Sequence, residues 1–80
     1  MSRSSKLTGA EIARRRRALG LRQFEFAIEL QPEFPGNRRI NASFISFLER
    51  GHVTPDAVMA QHIAAVFERL ETAHVAGARS

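Results

Sequence analysis

The 80-residue chain has no cysteine, which removes a disulfide framework and any thiolate metal site. His52, His62 and His74 stand ten and twelve residues apart, a spacing that matches no local metal-ligand pattern. No paired acids, nucleophile constellation or glycine-rich phosphate cradle is present, so an enzyme has nothing behind it and no cofactor is expected. No apolar run approaches membrane-spanning length and the N-terminus lacks a signal-peptide core. These absences imply a cytoplasmic protein without membrane contact. Strand alternation, hairpin signals and repeats are missing as well. What remains is 44% hydrophobic and 25% charged, an ordinary balance for one small globular domain.

Charge is unevenly placed. Residues 1–50 hold ten of the twelve Lys and Arg and five of the eight acids, a surplus of +5, whereas residues 51–80 sum to −1. A basic first part beside a nearly neutral, apolar last part suggests that one end faces a polyanion and the other buries surface. The same imbalance also describes a solvated basic face with no ligand.

Helix signals punctuate the chain. After the polar, basic segment MSRSSK, the stretch LTGAEI offers Thr8 as N-cap, Glu11 to close a capping box, and Leu7 with Ile12 as a hydrophobic staple. This first helix should run to about Leu19, with Gly20 ending it in a left-handed conformation. Arg14 to Arg17 cover every side of it, so at least one arginine must point inward. A second helix, residues 22–30, carries the stripe Leu21, Phe26, Ala27 and Leu30, and QPEFPGNRRI follows as a loop of about ten residues. Asn41 caps a third helix that Gly51 stops. Thr54, Pro55 and Asp56 then open a fourth, with threonine as cap and Val58, Met59, Ile63, Val66, Phe67 and Leu70 at core-forming spacing. That helix is expected to reach about Ala73.

The third helix, within NASFISFLERG, has one face of Phe44, Ile45 and Leu48 and another of Ala42, Ser43, Ser46 and Phe47. Small residues let a helix approach base edges, serines can bond to bases or phosphates, and a phenylalanine can press on a thymine methyl. Arg38, Arg39 and Arg50 flank it as phosphate clamps. A bland solvent face is the alternative for the serines, and burial beneath the loop against Phe34 is the alternative for Phe47.

Taken in order, LGLRQFEFA, FISFLERG and TPD resemble the lambda-repressor/Cro-like, XRE-type helix-turn-helix domains over roughly residues 8–70. The family pattern falls on Gly20, Leu21, Arg22, Gln23, Phe26 and Ala27, then on Ile45, Ser46, Glu49, Gly51 and Pro55. The resemblance implies an all-α, compact four- to five-helix domain with a DNA-reading third helix. It also implies an ion pair of Arg16 with Glu49, leaving Arg14, Arg15 and Arg17 for solvent or phosphate. Two departures stand out. Arg22 replaces the family's capping Ser or Thr, and Gln23 and Glu49 lie 26 apart where about 18 is usual, so the loop between helices 2 and 3 is lengthened by about eight residues.

The resulting expectation is a sequence-specific double-stranded DNA-binding regulator, a repressor acting as a homodimer on a palindromic operator. The expected DNA-contacting residues are Arg22, Gln23, Arg38, Arg39, Asn41, Ala42, Ser43, Ser46, Phe47 and Arg50. Val66, Leu70 and Val75 are the candidate dimer interface. Residues 1–7 are expected to be a flexible basic N-terminus, 8–75 the DNA-binding domain, and 76–80 a disordered tail. No metal and no small-molecule ligand is expected. The competing expectation is a protein-interaction module on the same fold, antitoxin-like or an adaptor, with Phe24, Phe34 and Phe47 as contacts.

Overall fold

In the computed structural model the described residues are 7–34 and 39–79, the side chains of 75–79 excepted. They form four α-helices and no strand: α1 (Gly9–Ala18), α2 (Gln23–Leu30), α3 (Ala42–Arg50) and α4 (Ala57–Arg79), with a 3-10 turn, Gln31–Glu33, after α2. The Cα radius of gyration is 12.6 Å.

The helix ends follow their local chemistry. Thr8 Oγ1 accepts from Glu11 N at 3.1 Å, but the Glu11 carboxylate turns to Arg14 at 3.1 and 2.6 Å. A charge-assisted bidentate pair replaces the second half of the expected capping box. Asn41 caps α3 through Oδ1, which accepts from Phe44 N at 2.9 Å. Gly20 (φ 74°) and Gly51 (φ 83°) end α1 and α3 in the left-handed region that side chains resist.

Helix α4 departs from the expectation at both ends. Its cap is Asp56, not Thr54: Asp56 Oδ1 accepts from Met59 N at 2.8 Å and its carbonyl from Ala60 N at 2.8 Å. The start therefore moves two residues on, and Val58 falls in the first turn with its side chain 62% exposed rather than in the core. At about 100° per residue, Met59, Ile63, Val66, Phe67 and Leu70 share the inward stripe and Val58 does not. At the other end the helix runs to Arg79, so residues 76–79 are helical and not the expected tail. Alanine-rich sequence favours this continuation, and Gly77 lowers helix stability by only about 1 kcal/mol.

Phe26 of α2 and Phe67 of α4 stack at the centre, centroids 4.7 Å apart. Ile12, Leu30, Ile40, Ile45, Leu48, Ile63 and Val66 close around them. Leu7, expected both as the staple partner of Ile12 and as the last residue of a flexible N-terminus, packs against this cluster. The N-terminus of α1 lies so close to the end of α3 that a Cβ on Gly9 would come within 2.6 Å of the Glu49 carbonyl oxygen. Only a glycine permits that approach.

Arg15 is not free for phosphate. Its guanidinium lies 4.6 Å from the Phe67 ring centroid and donates to both Glu71 oxygens at 2.9 Å, tying α1 to α4. Those hydrogen bonds raise the Arg15 pKa and hold the Glu71 carboxyl below its ordinary value.

Candidate nucleic-acid interface

Helix α3 is fixed from behind by one polar cluster. Arg16, 8% exposed, donates from Nε to Glu49 Oε2 at 2.5 Å and from Nη2 to Oε1 at 3.1 Å. Its Nη1 donates to the Leu21 carbonyl at 2.8 Å, and Gln23 Nε2 donates to Glu49 Oε1 at 3.0 Å. The cluster thus joins α1, the α1–α2 link, the start of α2 and the end of α3. Burial pushes the Glu49 pKa up, but the hydrogen bonds from Arg16 and Gln23 outweigh it, and the carboxyl titrates below its ordinary 4.5. Every buried side-chain nitrogen and oxygen among the described residues has a partner. A buried pair of this kind fixes the orientation of the helices it joins.

The cluster changes the reading of Gln23. A carboxylate only accepts, so the amide group facing Glu49 must be the NH2, and that donor belongs to the rear of α3 rather than to a ligand.

Ser43 and Arg50 are exposed on the outward side of α3, and Ala42 and Ser46 are half-buried. Asn41 lies at the exposed N-cap with Oδ1 occupied by the backbone. Phe47 is 47% exposed and meets the edge of His52 at 6.1 Å, whereas Phe34 meets His62 of α4 at 5.3 Å. The loop therefore does not bury Phe47 through Phe34. Arg22 and Arg39 are exposed, and with Arg17 and Arg50 they hold no ion pair among the described residues. Arg38 lies outside the described residues.

Arg22 precedes α2 as its cap residue. The Glu25 carboxylate accepts from Arg22 N at 2.7 Å, but a guanidinium has no acceptor and cannot reciprocate. No side chain therefore caps the first turn of α2.

The proposed dimer residues fare differently. Val66 is 1% exposed inside the chain's own core, so it has no surface to offer and is withdrawn as an interface residue. Leu70 is half-buried against the same core, and the Val75 side chain lies outside the described residues.

Sequence reasoning missed Gln31. Its Oε1 accepts from Ile40 N at 2.9 Å and its Nε2 donates to the Phe34 carbonyl at 3.2 Å, within the link between α2 and α3. A glutamine beside a proline gives no sign of that role. A cleft of about 520 Å3 opens between the ends of α1, α3 and α4, lined by Leu7, Leu48, Val53, Pro55 and Ala60 among others. Among the described residues, none of those expected to contact DNA lines it. Among the described residues no group of three metal-ligating side chains gathers, and no helix is long and apolar enough to cross a membrane.

Comparison with protein-family models, with curated proteins and with solved structures gives no match to this chain.

Proposed function

We propose that this chain is a sequence-specific double-stranded DNA-binding regulator of the lambda-repressor/Cro-like, XRE-type helix-turn-helix class. It acts in the cytoplasm as a repressor, a homodimer on a palindromic operator. The observation that carries the reading is the asymmetry of α3: its back is locked by Arg16, Glu49 and Gln23, while Ser43, Ser46 and Phe47 stand outward between Arg39 and Arg50. A reading helix needs this combination of rigid support and a front whose polar side chains, here Ser43, Ser46 and Arg50, hold no ion pair or side-chain hydrogen bond among the described residues. Arg17 and Arg22 add positive charge near the start of α2, where first-turn N–H groups lack a side-chain cap and favour an anion.

Selection of duplexes from a random double-stranded library at about 0.15 M salt tests the proposal. A palindromic consensus with half-sites one turn apart is the expected result. If each subunit neutralises about five phosphates, log affinity falls with log salt at a slope of about −9 for the dimer. A pool that stays random overturns the reading.

One observation favours a second reading. Phe24 and Ile28, one turn apart on α2, are 50% and 64% exposed, an apolar pair suited to a protein partner. In a protein-interaction module on this fold, an antitoxin-like or adaptor protein, that face would be the contact. Absence of duplex binding at physiological salt would favour it.

A further inference from the structure

The loop between α2 and α3 is anchored at both feet. Gln31 accepts the Ile40 amide hydrogen and donates to the Phe34 carbonyl, closing the loop at its base. Phe34 lies edge-on to His62, whose ring nitrogen is 3.2 Å from Glu33 Oε1, so the first foot also rests on α4. At the second foot the Ile40 side chain is buried in the core and Asn41 caps α3. The backbone at residues 39–40 is thus held from the loop side by Gln31, from below by Ile40, and from the α3 side by the cap. Arg39 leaves this fixed backbone into solvent, three residues before α3 begins, and holds no ion pair among the described residues.

An arginine on a fixed backbone loses less freedom on meeting a phosphate than one on a loose loop. We propose that Gln31 is a positioning residue: it fixes the backbone from which Arg39 contacts a DNA phosphate beside the site that α3 reads. The inference rests on the DNA-binding reading given above. It makes the lengthened loop a support for a second, backbone-directed contact, and gives a half-buried glutamine a role in affinity without touching DNA.

A double-mutant cycle on Gln31→Met and Arg39→Ala tests it, by fluorescence anisotropy on a labelled duplex recovered by the wild type from the random library, or on a mixed-sequence duplex if none is recovered. Methionine keeps the length and the apolar stem of the side chain and removes the hydrogen bonds to the Ile40 amide and the Phe34 carbonyl. Gln31→Met is expected to weaken binding about tenfold when Arg39 is present, the scale of one charge-assisted contact, and less than about twofold in the Arg39→Ala background. Each variant should also flatten the salt slope by about 0.9 per protomer, and the pair by no more than Arg39→Ala alone. Faster amide exchange at Ile40 in Gln31→Met should report the freed backbone without DNA. Equal losses in both backgrounds would mean that Gln31 acts on the fold rather than through Arg39. No loss in either would also overturn the inference, with the DNA-binding reading left standing. A wild type that holds no duplex would overturn both.

Discussion

The two sides of α3 are built on opposite principles. Its back, with Ile45 and Leu48 in the core and Glu49 held by Arg16 and Gln23, is closed and satisfied. Its front has an exposed serine, a half-buried serine, a half-exposed phenylalanine and an arginine without an ion pair among the described residues. The difference teaches that, under the proposed DNA-binding function, stability and recognition fall on separate sides of one nine-residue helix. Changes behind it should unfold the domain, and changes in front should leave the domain standing.

The largest effect should follow Glu49→Ala. It leaves Arg16 charged and nearly buried, which costs about 3 kcal/mol. In a domain of this size that lowers the melting temperature on the order of 15 °C. A variant that melts like the wild type would show the back of α3 to be no lock at all.

Gly9→Ala should come next. A Cβ gains at most about 1 kcal/mol of helix propensity, but it meets the backbone oxygen of Glu49, which cannot yield unless α1 and α3 part. The net expectation is a loss of about 1–2 kcal/mol in denaturant unfolding. A gain in stability would refute the close approach.

Acid sharpens the comparison more gently. The folded-state pKa of Glu49 lies below its ordinary 4.5, so its contribution is complete above that pH and is lost as pH falls through the lower folded value. The stability difference between wild type and Glu49→Gln should therefore be constant near neutrality and shrink below pH 4.5. Melting both proteins across that range checks the sign, and a difference that grows on acidification would contradict it.

What the sequence made legible was local. Asn41, Gly51 and the inward stripes of α2 and α3 depend on neighbours within a turn or two, and pattern alone reaches them. The start of α4 was blurred because Thr54, Pro55 and Asp56 each carry a helix-start signal and only tertiary placement chooses among them. Sequence alone leaves Val66 equally fit for an interface, because an apolar stripe looks the same whether its own core or a partner covers it. The tie of Arg15 to Glu71 spans 56 residues, and that of Gln31 to Ile40 crosses a loop, so neither leaves a periodic trace. Only the family resemblance points Arg16 at Glu49; the run of four arginines by itself does not say which one turns in.

The most direct test of the separation between back and front is Ser43→Glu, measured for melting and for duplex binding on the same preparation. The expected result is a melting temperature within about 3 °C of wild type, as for an exposed surface change. With it should come a loss of affinity on the order of 100-fold, because a carboxylate is set against phosphates. A folded Ser43→Glu protein that binds the wild type's duplex undiminished would contradict the claim that this face of α3 reads DNA.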